Sequence, residues 1–580
     1  MERNSRQDAG DAIYNQLNIM SYSDKENINI LCAVMLGHGI NRAVVCPGSR
    51  NAPIVHNLNE CPQVQCYPVT DERSAGFFAL GMAEQLQEPV AVVVTSGTAL
   101  LNLAPAVAEA WHRHISLVVI SADRPMAHIG QQMGQTIDQP GALSRFTLKD
   151  VNLMEPHDEL TRWHCNRLAN EAMIAAKQGG PVHINVPYDE PLFNFTVPSL
   201  PVEHIITSMA VPADEMALLD VLEPIKTAQK PMLVIGQLDR GMVTHEIMNH
   251  LVPHLAVLVE SLGSDVGGDA FDELLPLVEQ NPDFAPDYVI YMGGTLVSKR
   301  IKAYLRRLND VPMIQIDEHG DIHDTFGNLT QVITCSPQAA LHALEKLFGM
   351  FGMAKGDPFA RLWNENVDQI AWHFDYLRPD YSQMLAVKLA LQSVQEYGEP
   401  FVLHFANSQP VRLANLFARQ HVRCNRGVNG IEGTISAAAG CAAVTDGRVL
   451  CVTGDLSFFY DQNALWNNNL RGNLRILLLN NGGGGIFSQL PGLEASPARD
   501  TMIAGGHTTH AEGCCAQHHV QYRAAYGSED LYSGITWLVQ DDSDRPRLLE
   551  VITEAAHDRQ VWQQVIEALH QKLNYLKSND

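Results

Sequence analysis

Apolar residues in this chain gather in short runs, separated by stretches of helical period. Ile28, Leu31, Cys32, Met35 and Leu36 recur at helical spacing after Ser23 and Asp24, the candidate caps, and predict a helix. The short run Ala43–Cys46 reads as a strand that ends in a turn cluster, Pro47-Gly48-Ser49-Arg50. Val90–Thr95, Ser116–Ser121 and Val182–Val186 read as further strands. The middle third repeats the pattern with Met232–Ile235, Ala256–Val259, Tyr288–Met292 and Met313–Ile316. The last third repeats it with Phe401–Phe405, Val449–Thr453, Leu474–Leu479 and Leu548–Ile552. Near-continuous apolar strands between helices predict parallel sheets covered on both faces. The expectation is an α/β protein of three doubly wound, mainly parallel-sheet domains. Val197-Pro-Ser-Leu-Pro201 and the polar region Gly356–Pro358 suggest boundaries, giving domains 1–197, 198–375 and 376–580.

Length agrees, since 580 residues at about 150 per domain give three or four. An apolar fraction of 46% supplies large cores and excludes wholesale disorder. Forty Lys+Arg against 65 Asp+Glu leave a net charge of −25, which argues against a nucleic-acid or anionic-membrane binder. A local basic pocket for a small anion stays open. The 11 cysteines are scattered, apart from Cys514–Cys515, so a reducing, cytoplasmic setting is expected. The segment Met1–Gly10 is polar and lacks the apolar run of a secretory signal. Apolar runs stop at about six to eight residues, short of a membrane span.

Chemistry concentrates in the last third. Val452-Thr453-Gly454-Asp455-Leu456-Ser457 ends one predicted strand, and Asn480-Asn481-Gly482-Gly483-Gly484-Gly485-Ile486-Phe487 ends the next. Asp455 and Asn481 are 26 positions apart. Adjacent parallel strands joined by a helical crossover would bring both ends to one sheet edge. That edge offers a carboxylate, an amide oxygen and glycine carbonyls, hard ligands suited to Mg²⁺ or a similar cation holding a diphosphate. Taken singly, Gly-Asp is a turn and the glycine run a flexible loop; the pairing at this spacing carries the signal.

This pair resembles the diphosphate-and-metal motif of thiamine-diphosphate enzymes. The motif reads Gly-Asp-Gly, then about two dozen residues, then Asn-Asn; Leu456 departs from it. The resemblance implies the pyruvate-decarboxylase-like fold, with an N-terminal pyrimidine-binding domain, a central domain and a C-terminal diphosphate-binding domain. It implies metal ligation by Asp455, Asn481 and the Gly483 backbone oxygen, with Mg²⁺ or Mn²⁺. Gly454, Leu456, Ser457, Gly484, Ile486 and Ser408 would join them in holding thiamine diphosphate. It makes Glu72, in Asp71-Glu72-Arg73 before a helix over Ala75–Gln85, the catalytic carboxylate. Such a glutamate bonds a ring nitrogen of the aminopyrimidine and favours the imino tautomer, which removes the thiazolium C2 proton. Without the resemblance, Glu72 is an ordinary helix-start carboxylate. Ile431 matches the bulky apolar prop under the bent cofactor, and a plain core isoleucine is the alternative.

Further segments resemble one branch of that family, the synthases that join 2-oxoglutarate to isochorismate in menaquinone biosynthesis. They are Cys46–Pro53, Thr95–Thr98, Ala122–Pro125, Gly134–Gly141, Ser298-Lys299-Arg300, Asn407-Ser408 with Arg412, and Asn425–Gly433. Two dicarboxylates beside a diphosphate require fixed cations, and arginine binds carboxylates bidentately. These segments supply Arg50, Arg124, Lys299, Arg300, Arg412 and Arg426, with Arg412 and Arg426 also taken as catalytic. Ser49, Gln135 and Ser408 add neutral donors, and Ile486 and Phe487 an apolar wall. The resemblance places the site between chains, so a homodimer or tetramer is expected. Gly134 and Glu432 depart from the usual residues. Another thiamine-diphosphate 2-oxo acid enzyme, or a scaffold that lost the reaction, are the rivals. His507, His510, Cys514, Cys515, His518 and His519 lack the usual zinc spacing, and a helix is expected to follow them to about Tyr526.

Overall fold

A computed structural model describes residues 21–209, 215–308, 310–349, 355–490 and 492–577. The polar segment Met1–Gly10 lies outside them. Three parallel sheets follow one another along the chain. The first runs, in spatial order, Gln65–Pro68, Arg42–Val45, Val90–Val94, Leu117–Asp123, Val182–Pro187 and Lys149–Asn152. The second runs Ala256–Val259, Pro231–Ile235, Tyr288–Met292, Met313–Asp317 and Leu329–Thr334. The third runs Val422–Arg423, Phe401–Phe405, Arg448–Gly454, Leu474–Asn480, Arg547–Ile552 and Gln521–Ala525. Tyr22–Ser23 and Phe195–Val197 form a small antiparallel pair. The chain is therefore an α/β protein of doubly wound, mainly parallel sheets.

The first and third sheets share one strand order: second, first, third, fourth, sixth, fifth. In each, the order reverses between the first and third strands. Loops leaving the carboxyl ends on either side of such a reversal diverge and leave a crevice.

Contacts group the described chain into two compact units. One holds residues up to 209 with Trp466–Asn469, and the other holds the second and third sheets. Helix Asp357–Tyr376 explains the second grouping. Its buried positions Phe359, Trp363, Val367, Ile370 and Phe374 recur at helical spacing and enter a core shared by both sheets. Trp363 is fully buried, packs edge-on against Phe284 at 5.3 Å and donates its indole N–H to the Phe284 carbonyl at 3.0 Å.

Local details differ from the sequence expectations. The first helix, Glu26–Gly37, starts after Lys25 with no side-chain cap, and the Ser23 hydroxyl accepts the Lys25 N–H at 3.2 Å instead. The helix expected from Ala75 begins at Glu72, since Asp71 accepts the Ser74 N–H and caps it there. The stretch expected to be helical to Tyr526 is a short helix, Glu512–Gln517, and then the edge strand Gln521–Ala525. No helix among the described residues is long and apolar enough to cross a membrane.

Trp363→Ala would remove a large side chain and leave the Phe284 carbonyl with the Tyr304 hydroxyl, at 2.9 Å, as its remaining side-chain donor. It should cost about 3–5 kcal/mol, read as a clear fall in the thermal unfolding midpoint of the full chain.

Candidate active site

The strand Arg448–Gly454 runs through the middle of the third sheet and ends at Gly454. Asp455 follows as the first residue of helix Asp455–Tyr460 and is 3% exposed. One carboxylate oxygen accepts the N–H groups of Asn481, Gly482 and Gly483 at 3.2, 2.9 and 2.9 Å. The other accepts from Leu456 at 2.7 Å, and the His507 imidazole Nε2 stands 3.5 Å from the first. Burial pushes the carboxyl upward; the Gly483 and Leu456 N–H groups and His507 oppose that. Gly483, at φ +154°, lets the glycine run curl round the carboxylate.

A cavity of about 510 Å³ opens at this edge, within the second unit. It brings together fourteen residues expected from the sequence. Gly454, Asp455, Leu456, Ser457, Asn481, Gly483 and Gly484 line its floor. Ser408, Ile431, Ile486 and Phe487 line its walls, and Lys299, Arg412 and Arg426 are among its cations, with Lys302 and Arg559. Ser408 holds φ +73°, rare for a residue with a side chain and found where a site fixes the backbone. Ile431 is 44% exposed, an apolar surface left open for a ligand.

The cations differ in how they are held. Arg426 donates to Asn407 Oδ1 at 3.0 Å and to the Leu296 carbonyl at 3.2 Å. Among the described residues, no hydrogen bond or ion pair holds Lys299 or Arg412, so both remain for an anionic ligand. Burial, with Arg426 and Arg300 nearby, lowers the Arg412 guanidinium, against the pull of Asp272. Arg300 does not line this cavity. It turns into an adjoining one of about 200 Å³ and pairs with Asp272 at 3.2 Å and Glu273 at 3.0 Å. Burial raises Glu273, and Arg300 opposes it.

The other expected residues belong to the first unit. Glu72 is half-buried and accepts from Asn102 Nδ2 at 3.3 Å. Arg50 is buried, donates to the Tyr188 carbonyl at 3.0 Å and meets Glu190 at 3.2 Å; Arg124 meets the same carboxylate at 3.7 Å. Burial, then the charge of Arg124, lowers Arg50. Ser49 is exposed. Gln135, at φ +60°, donates to the Ser96 carbonyl at 3.3 Å. A Cβ on Gly134 would meet nothing within 4 Å, so that departure reflects no lack of room.

Several lining groups escaped the sequence reading. Asp558 accepts from Asn481 Nδ2 at 3.3 Å, Thr553 Oγ1 at 2.7 Å and the Gln383 N–H at 2.9 Å. It thereby turns the Asn481 amide oxygen away from itself. Glu260, Asp272, Glu273 and Trp562 line the smaller cavity, and no local motif marks them. Of the His/Cys cluster, His507 faces Asp455 and His510 lies 3.5 Å from Glu550. No group of three or more His, Cys, Asp or Glu able to hold a metal occurs among the described residues. The oxygen set at Asp455 contains one carboxylate, one amide and one backbone carbonyl, which suits a hard divalent cation carrying a diphosphate.

A parallel sheet with a crevice at its switch point, bordered by Ser408 and Asp455, and a glycine run on the next strand has the form of a nucleotide- or diphosphate-cofactor site. Residues 28–142 match the thiamine pyrophosphate enzyme, N-terminal TPP binding domain. The chain is 41% identical to the 2-succinyl-5-enolpyruvyl-6-hydroxy-3-cyclohexene-1-carboxylate synthase of Bacteroides thetaiotaomicron, over 95% of this chain and 100% of that one. It is 40% identical to the synthase of the same name from Phocaeicola vulgatus, again over 95% and 100%. Against that of Flavobacterium psychrophilum it is 34% identical, over 89% and 94%. The chain belongs to the 2-succinyl-5-enolpyruvyl-6-hydroxy-3-cyclohexene-1-carboxylate synthase family of thiamine-diphosphate-dependent enzymes.

Asp558→Ala should free the Asn481 amide to rotate. Affinity for thiamine diphosphate with Mg²⁺, followed by intrinsic tryptophan quenching, should weaken about 10-fold or more.

Proposed function

We propose that the chain is a thiamine-diphosphate-dependent synthase that decarboxylates 2-oxoglutarate and adds the remaining four-carbon unit to isochorismate, in menaquinone biosynthesis. One observation carries this reading. A single cavity joins the Asp455/Asn481/Gly483 oxygen set to Lys299 and Arg412, two cations with no hydrogen bond or ion pair of their own among the described residues.

When bound, thiamine diphosphate supplies the nucleophilic carbon and the electron sink for the decarboxylation. Asp455, Asn481 and the Gly483 carbonyl would hold Mg²⁺ or Mn²⁺ and with it the cofactor. Gly454, Leu456, Ser457, Gly484, Ile486 and Ser408 would complete that contact, and Ile431 would be the apolar prop beneath it. Glu72 holds a proton at a pyrimidine ring nitrogen. Lys299, Arg412 and Arg426 fix substrate carboxylates; Arg300 joins them from the adjoining cavity, where Asp272 and Glu273 hold it. Ser49, Arg50, Arg124 and Gln135 complete the substrate contacts from the first domain. Ile486 and Phe487 exclude water. Domains 1–197, 198–375 and 376–580 then serve as pyrimidine-binding, central and diphosphate-binding domains. In a homodimer or tetramer, Glu72 and Asp455 come from different chains. The eleven free cysteines suit the reducing cytoplasm.

Incubation with thiamine diphosphate, Mg²⁺, 2-oxoglutarate and isochorismate should consume both substrates and release CO₂. Turnover of pyruvate with isochorismate untouched would mean a different 2-oxo acid enzyme. Glu72→Gln should keep the cofactor, by the same quenching titration, and lose about 100-fold or more in kcat. Unchanged turnover would remove Glu72 from the chemistry.

A further inference from the structure

We propose that Glu260 is a positioning residue that sets Lys299 and Arg426 for a dicarboxylate substrate. This rests on the function proposed above. Glu260 directly follows strand Ala256–Val259, at the carboxyl edge of the second sheet, and is 1% exposed. Its two carboxylate oxygens accept the N–H groups of Val297 and Ser298, both at 2.7 Å. These are the last two residues before helix Lys299–Arg307, which Ser298 caps through the Ile301 N–H at 3.1 Å. The same turn presents the Leu296 carbonyl to Arg426. One carboxylate thus fixes the start of the helix that carries Lys299 and the carbonyl that holds Arg426.

The contact spans an intervening strand, and glycine makes the span possible. Strand Pro231–Ile235 separates Ala256–Val259 from Tyr288–Met292. Gly236 follows it, where a Cβ would sit 2.1 Å from the Gly294 carbonyl oxygen. A Cβ on Gly263 would sit 2.2 Å from that of Gly236. Three bare backbones cross here, so the loop after Glu260 and the turn before Lys299 lie close together. Glu260 lines the smaller cavity and not the larger, which places it behind the cations and away from the substrate.

The charged and titratable groups facing Glu260 are Arg426, Asp272, Arg412, Lys302 and Tyr291. Burial pushes the Glu260 carboxyl up to about 7, against the two N–H bonds and Arg426. Protonation takes an acceptor from the turn, so substrate affinity should fall as pH drops through that value. Stability has the opposite sign. The folded carboxyl binds its proton more tightly than an unfolded one, so its stabilising contribution is full below the ordinary glutamate range and lost as pH rises through about 7.

The test compares full-length wild type, Glu260→Gln and Glu260→Asp, all with thiamine diphosphate and Mg²⁺. Calorimetry with 2-oxoglutarate and with succinate, KM and kcat against pH, and thermal midpoints are measured. Glu260→Gln should weaken dicarboxylate binding and raise KM about 10-fold, change kcat far less, and abolish the inflection near neutral pH. Glu260→Asp should recover part of the affinity. A fall in kcat and midpoint with KM and affinity unchanged would make the role merely structural. Tighter binding in Glu260→Gln would mean that only its charge is felt. Either result, or persistence of the inflection, overturns the proposal. Succinate binding needs no turnover, so failure of the proposed reaction and failure of the Glu260 role are seen separately.

Discussion

A carboxylate can be buried at the end of a parallel sheet only where N–H groups or cations surround it. Asp455 meets that condition with four backbone N–H groups, two of them from the glycine run and one from Asn481 just before it. The requirement ties two loops together. The run must turn its N–H groups inward, which needs glycine at Gly483, and the strands before Asp455 and Asn481 must be neighbours in register. The pairing of Gly454 with Leu479 supplies that register. Once it is fixed, Asn481, the Gly483 carbonyl and the cavity above them follow from the backbone.

Charge is the second constraint. The protein carries a net charge of −25, yet its cavity concentrates arginine and lysine. Cations crowded together repel, and the charges of Arg426 and Arg300 add to the burial that lowers Arg412. Asp272, Glu273 and Glu260 offset part of this repulsion from the side away from the larger cavity. Dianionic substrates would complete the neutralisation, which is why Lys299 and Arg412 can stand without partners. An acidic protein thereby holds anionic ligands with a small, buffered set of charges.

This division explains what could be read from sequence. Central strands such as Val90–Val94 and Leu474–Asn480 are buried on both faces and appear as apolar runs. Edge strands such as Lys149–Asn152, Leu329–Thr334 and Gln521–Ala525 are only partly buried, carry polar residues and show no run. The last of these reads as helix in the sequence for that reason. Asp455 and Asn481 were legible because each sits at the end of an apolar strand. Glu260 was not, because its partners Val297 and Ser298 are remote in sequence and offer only backbone N–H groups. Asp558, which steers Asn481, lies 77 positions beyond it on a helix with no motif of its own.

Two strand-to-helix turns, one in the first sheet and one in the third, give a sharper comparison. In the first sheet, strand Val90–Val94 is followed by Thr95, Ser96 and Gly97, and Gly97 opens a helix at φ +82°, ψ −139°. In the third, strand Phe401–Phe405 is followed by Ala406, Asn407 and Ser408, and Ser408 opens a helix at φ +73°, ψ −126°. The two loops solve the same strand-to-helix turn with nearly the same backbone. Glycine adopts that conformation freely; serine pays about 1–3 kcal/mol for it. A folding requirement alone would favour glycine at both places. Serine at position 408 departs from that preference at a residue that lines the larger cavity with Asn407 and Arg412.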